Sequence, residues 1–157
     1  MGYWVAGKRS GRGRITRVDG EVYEGEWKDN VPHGKGQVTQ LDESTYTGDW
    51  KNGVKDGQGT QKWPLDATCY SGAYKNDKRN GRGTYHIKKG EIYTGNFIDN
   101  VIQGRGKYWW KDGRVYEGEW VEECMEGRGK MIWTGDVGRE YKGEFVKNKF
   151  QGNGVYK

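Results

Sequence analysis

The sequence predicts an all-β chain, an elongated single-layer antiparallel ribbon of hairpins, on three observations. Tyr23, Gly25 and Trp27 stand at alternate positions, and Gly34, Gly36 and Val38 do the same a few residues on; a period of two belongs to strands. That unit recurs on a period of about 23 residues along the whole chain. The composition, 32% hydrophobic, 31% charged and 14% aromatic, lacks the aliphatic residues of a compact core, so burial must come from aromatic columns in which each repeat packs on its neighbours.

The repeats start near residues 1 (truncated), 23, 46, 70, 93, 116 and 141, and together they make residues 1–157 one continuous array. Tyr23, Tyr46, Tyr70, Tyr93, Tyr116 and Tyr141 lead them, each followed two residues later by glycine. Two further on comes a second aromatic: Trp27, Trp50, Tyr74, Phe97, Trp120 or Phe145. Glycine pairs such as Gly34 and Gly36 close each unit, so most of the 28 glycines are periodic and do not indicate disorder. Between the two strands of a repeat the spacing predicts a six-residue loop, as in Lys28–His33. Gly7, Asn30, Gly53, Asp77, Asn100, Glu123 and Asn148 share one position in it, and all but Glu123 enter left-handed conformations cheaply. The connection from one repeat to the next carries all the length variation, with its longest version around Gly135–Gly138.

Alternation separates two faces. One collects the tyrosines, the second aromatics, and Ile15, Val38, Tyr85, Tyr108, Met131 and Tyr156, continued by Trp63, Ile87, Trp110 and Trp133. Gly25, Gly34 and Gly36 are expected on this face, leaving room for rings. The other face sets acidic first strands (Glu24, Glu26, Asp49, Glu117, Glu119) beside basic second strands (Arg12, Arg14, Lys35, Arg105, Arg128, Lys130). Cross-strand pairs of that kind contribute about 0.2–1 kcal/mol each.

The pattern Tyr-x-Gly-x-Trp, six residues, Gly-x-Gly resembles the MORN repeat (membrane occupation and recognition nexus), with Tyr74, Phe97 and Phe145 as conservative departures at the large aromatic. The resemblance implies antiparallel hairpins joined into one twisted sheet. It also implies a cytoplasmic adaptor in cytoskeletal, ciliary or membrane-proximal assemblies, and end-to-end self-association. MORN arrays also accompany kinase or methyltransferase domains, which leaves a regulatory segment of a larger enzyme as an alternative.

The residues carry no catalytic pattern. His33 and His86 have no motif-spaced cysteine or carboxylate, and the Gly-x-Gly pairs lack the third glycine and following helix of a dinucleotide loop. No metal, cofactor or enzyme activity is expected. Cys69 and Cys124 stand in unrelated repeat positions and suggest no disulfide framework. No signal-peptide pattern or membrane-length apolar run is present. The expected function is a scaffold whose aromatic groove, formed by Tyr46, Trp50, Tyr70, Tyr74, Tyr93, Phe97, Tyr108, Trp110, Tyr116 and Trp120, receives a peptide or helix of a partner protein. The runner-up is an anionic-lipid surface module using Lys8, Arg9, Arg12, Arg14, Lys78 and Arg79, in keeping with the net charge of +5. Nucleic acid fits poorly, because rings and cations fall on different faces. The terminal strand edges are expected to be covered by a second copy or another protein.

Overall fold

Each hairpin turns on two residues, both at positive φ: 49° and 72° at Asp29 and Asn30, 48° and 76° at Asp99 and Asn100, 48° and 65° even at Glu122 and Glu123. This type I′ geometry matches the right-handed twist of the flanking strands, whereas a six-residue loop would not hold their register. The six-residue loop is therefore corrected to a two-residue turn, and the residues after it belong to the second strand.

The structure, a computed structural model, describes residues 2–135 and 138–157. Met1 of the truncated first repeat, and Asp136 and Val137 of the Gly135–Gly138 connection, lie outside the described residues. The chain divides into two compact units, residues 1–78 and 79–157. The first holds β1 (Gly2–Val5), β2 (Lys8–Thr16), β3 (Val22–Lys28), β4 (Val31–Thr39), β5 (Thr45–Lys51), β6 (Val54–Trp63) and β7 (Thr68–Lys75). The second holds β8, which opens at the boundary (Lys78–Ile87), β9 (Glu91–Ile98), β10 (Val101–Trp109), β11 (Arg114–Val121), β12 (Cys124–Trp133), β13 (Arg139–Val146) and β14 (Lys149–Tyr156). Within each unit every strand pairs antiparallel with its chain neighbours, and the described residues form no α-helix, only short 3-10 turns at Pro64–Asp66 and Lys88–Gly90.

Within each unit the second strand of every hairpin carries a bulge. In β3 and β4, Gly25 faces Gly36 while Trp27 faces Pro32, so the span from Pro32 to Gly36 opposes a shorter span on β3. Gly34 sits in that bulge at φ 66°. A Cβ there would lie 2.8 Å from Glu26 Cδ, on the charged side of the sheet. Gly34 is therefore a bulge glycine and does not clear space for rings on the aromatic face. Gly25 and Gly36 do, since the Tyr23 ring lies directly over their backbone.

The core is the tyrosine face itself. Tyr23, Tyr46, Tyr70, Tyr93 and Tyr116 are at most 1% exposed. Their hydroxyls bend back to donate to the carbonyl three residues on: Tyr23 to Glu26 at 2.9 Å, Tyr46 to Asp49 at 2.9 Å, Tyr70 to Ala73 at 3.0 Å, Tyr116 to Glu119 at 2.9 Å. The second aromatics wedge between tyrosines in edge-to-face contact. In the first unit the chain of rings runs Trp27, Tyr23, Trp50, Tyr46, Tyr74, Tyr70, with centroids 5.0–5.3 Å apart. Such contacts add about 0.5–1.5 kcal/mol a pair beyond area burial. Trp27 and Trp50 also donate their indole N–H to the carbonyls of Gly13 and Gly36, each at 3.1 Å.

Trp50→Ala should therefore cost about 3–5 kcal/mol, since it removes a ring 9% exposed with two tyrosine contacts. Trp4, 64% exposed, should cost about 1 kcal/mol or less on the same change. Thermal melts of the two variants test this, and equal losses would contradict an aromatic core built by neighbouring repeats.

Turns also clip each repeat to the one before it. Asn30 Oδ1 accepts from Arg9 N at 2.8 Å while Asn30 N donates to Arg9 O at 3.1 Å. Asp77 with Lys55, Asn100 with Arg79 and Asn148 with Met125 repeat the pair. Pro32 has no N–H to give, and its partner turn carries Gly53, which has no acceptor side chain and makes only the backbone bond, 2.8 Å to Pro32 O.

Candidate functional site

A side chain offered to a partner must reach solvent. Of the aromatic residues expected in the groove, Tyr46, Trp50, Tyr70, Tyr74, Tyr93, Phe97, Tyr116 and Trp120 are buried to 9% exposure or less and serve as core. Tyr108 and Trp110 remain half-buried. They stack on each other with centroids 4.5 Å apart, and Arg114 lies over Trp110 at 5.1 Å. Tyr108 donates to Glu91 Oε2 at 2.6 Å, and burial, with that hydrogen bond second, pushes its pKa up.

The same face of the second unit continues through half-buried Trp133, with Arg139 over its ring at 5.0 Å, to Phe150 and Tyr156, about half exposed. Trp133 lies 6.0 Å from Phe150 and 5.8 Å from Tyr156. The surface left open is thus a row of partly exposed rings, with arginines over Trp110 and Trp133; Tyr108, Trp110, Trp133 and Tyr156 stand beside or beyond the tyrosine in the second strands, and Phe150 joins them from the position opposite Phe145.

A second column was hidden by the loop expectation. Because the turn has only two residues, the residue five after each second aromatic faces it across the hairpin: Pro32 faces Trp27, Lys55 faces Trp50, Ile102 faces Phe97, Met125 faces Trp120 and Phe150 faces Phe145. The constant spacing of five was the signal available in the sequence. Cations in this column ride on rings: Arg9 over Trp27 at 4.8 Å, Lys55 over Tyr46 at 4.8 Å and Arg79 over Phe97 at 5.4 Å. Lys55 also donates to Gln61 Oε1 at 3.1 Å, and burial lowers its pKa. His33 accepts from the Asn52 N–H at 3.4 Å, a structural bond between repeats.

The bulge at Gly11 sends the basic residues of the first repeat to opposite sides. Arg9 lies over Trp27 on the tyrosine face, while Arg12 and Arg14 face Glu26 and Glu24 on the other. Lys8 pairs with Asp29 at 3.6 Å. Lys8, Arg9, Arg12 and Arg14 therefore do not form one patch; Lys78 ends the first unit and Arg79 opens the second. On the charged face, the register pairs Lys35 with Asp49 at 2.5 Å, Lys107 with Glu117 at 3.3 Å and Arg105 with Glu119 at 3.9 Å, and Lys130 reaches Glu140 diagonally at 2.6 Å. The Lys35 hydrogen bond holds the Asp49 carboxyl below the usual carboxylate range. Among the described residues no group of three His, Cys, Asp or Glu side chains is placed to hold a metal, and no helix is long and apolar enough to cross a membrane.

A family model described as MORN repeat matches the chain seven times, over residues 1–22, 23–39, 46–64, 70–92, 93–113, 116–135 and 141–157. No curated protein matches it in sequence. Among solved structures it is similar to the TCP domain of SAS-4 (dCPAP) of Drosophila melanogaster, in complex with a proline-rich motif of Ana2 (dSTIL). That similarity has 9% sequence identity and a TM-score of 0.48, and covers 85% of this chain and 77% of that chain.

Proposed function

The chain belongs to the MORN repeat family, and from that premise we propose that it is a non-catalytic scaffold that binds a segment of a partner protein in a cytoskeletal or ciliary assembly. The observation that carries this reading is the open row of rings in the second unit, Tyr108, Trp110, Trp133, Phe150 and Tyr156, held on strands and capped by Arg114 and Arg139. Aromatic and arginine side chains fixed on a rigid framework lose little entropy on binding and dominate interface energetics. Exposed rings at β1 (Tyr3 and Trp4) and at β14 (Phe150 and Tyr156) support self-association through the terminal strands as a second part of the proposal.

Trp110→Ala tests the reading, because Trp110 is not part of the interlocked core. Affinity capture from ciliated cells with the wild-type and variant chains, quantified by mass spectrometry, should show a defined partner lost by at least about tenfold in the folded variant. An unchanged partner set, with equal folding, would refute it. Retention of the wild-type chain on anionic vesicles that weakens with salt, without any protein partner, would favour a lipid surface instead.

A further inference from the structure

We propose that the charged face of the second unit is a binding groove for an extended acidic segment of another protein, one with a carboxylate at every third residue. This goes beyond the aromatic row, which lies on the opposite side of the sheet. The groove has a volume of about 1320 Å³, and its lining holds six cations against two carboxylates, Glu117 and Glu144.

Its organising feature is a row of three arginines. Arg82, Arg105 and Arg128 occupy the same place, between the two glycines of the closing pair, in three successive repeats on β8, β10 and β12. All three are exposed, and Arg105 reaches its nearest carboxylate, Glu119, only at 3.9 Å. Across the strands Arg82 faces Asn96 and Lys142 faces Lys130, and of the three only Arg128 has a carboxylate, Glu144, opposite it. Lys107 and Lys130 are closely paired, with Glu117 at 3.3 Å and Glu140 at 2.6 Å, so the excess charge of the groove rests on Arg82, Arg105, Arg128 and Lys142.

The fold does not require these cations. In the first unit the corresponding hollow, of about 330 Å³, is lined by Lys35, Thr47, Gln58, Thr60 and Ser71 between the same glycines. Gln58 holds the place of the arginines, and the backbone forms the same register there. Positive charge beyond what the strands need marks a surface for an anionic partner.

Spacing and composition select the occupant. Equivalent residues of successive repeats lie two strands apart, about 9.6 Å at the ordinary strand separation. An extended polyproline II segment rises about 9.3 Å per three-residue turn, so a carboxylate at every third position meets successive arginines, each able to bind it bidentately. Glu117 and Glu144 within the groove repel a continuous phosphate backbone, and Trp109 is the one ring in the lining, too little for base stacking along a strand.

The test uses the whole chain and a fluorescent probe peptide of about twelve residues, four turns of polyproline II. Glutamate stands at every third position with proline and serine between; an isomer of the same composition has its glutamates in one block. Polarisation titrations at about 0.05 M and 0.15 M salt should show the spaced peptide binding more tightly than the block isomer, and less so at the higher salt. The double variant Arg105→Gln, Arg128→Gln, which copies Gln58, should melt like the wild type and lose about tenfold in affinity. Lys35→Gln, at the same place in the first unit, should leave the titration unchanged. Equal affinity for the two isomers, no effect of the double variant, or preference for a single-stranded oligonucleotide or anionic vesicles over the spaced peptide would each overturn the proposal. None of these outcomes touches the aromatic row, so the scaffold reading stands or falls separately.

Discussion

Gly36→Ala is expected to lower stability by about 3 kcal/mol or more, with a melting temperature down by roughly 10 °C, although it adds one methyl group in the middle of a strand. The methyl would lie 2.6 Å from Tyr23 Cζ and 2.8 Å from Cε2. The obstructing atoms belong to a buried aromatic ring fixed by its hydrogen bond to Glu26 O and by edge contacts to Trp27 and Trp50. The ring can yield only by leaving the core, which forfeits those contacts together with its burial. Gly135→Ala is the control, because no atom lies within 4 Å of its added Cβ and its φ is not positive. A double-mutant cycle with Tyr23→Ala isolates the cause: once the ring is gone, Gly36→Ala should cost little more. Additive losses would show that the glycine is needed for its own backbone and not for the ring above it.

The alternation of Tyr23, Gly25 and Trp27 was enough to place the first strands and their faces, because a period of two is a property of the backbone; it failed at Gly34, where a bulge breaks that period in the second strand. Position alone could not say what the faces do. The aromatic positions read equally as a groove or as a core, and the deciding fact is that Tyr23, Tyr46, Tyr93, Tyr116 and Tyr141 fold over the glycines of their own hairpins while second aromatics such as Trp50 and Tyr74 fill the gaps between tyrosines. A face that closes on itself in this way has no groove where it is best packed. It remains open where rings such as Trp110 and Trp133 lie beyond the tyrosine, away from the interlocked row.

The turn was misread for a different reason. Pro32 and Lys55 look like loop residues, and no local preference marks them as strand; the two-residue turn pairs them with Trp27 and Trp50, and the bulge at the following glycine then shifts the register of the residues beyond it. Left-handed residues at the turn were legible from Asn30, Gly53 and Asn100. That Glu122 and Glu123 adopt the same geometry follows from the hairpins around them and from clips such as Glu123 N to Ile102 O at 3.1 Å.

Raising the pH should unfold the chain cooperatively between about pH 10 and pH 12, the second large effect. Burial first of all pushes Tyr23 and Tyr93 up to about 12, and it raises Tyr46, Tyr108 and Tyr116 as well. In the unfolded chain these phenols ionise near the ordinary phenol value of 10.0, so above that pH the folded state holds more protons than the unfolded state. Stability is therefore fully present below about pH 10 and falls as pH rises toward the folded values. At about 1.36 kcal/mol per ring per pH unit, Tyr23 and Tyr93 alone remove about 5 kcal/mol by pH 12. That is comparable to the whole stability of a marginal domain. Lys55 acts with the opposite sign: burial lowers its folded pKa below 10.5, so its contribution rises with pH until the unfolded side chain also loses its proton. One lysine opposes five tyrosines, and the tyrosines decide the outcome. Tyrosinate absorbance followed together with near-ultraviolet circular dichroism should show the buried rings ionising in one sharp step with loss of tertiary signal. Smooth ionisation of these rings near pH 10 in a chain that keeps its near-ultraviolet signal would contradict a core sealed by tyrosines.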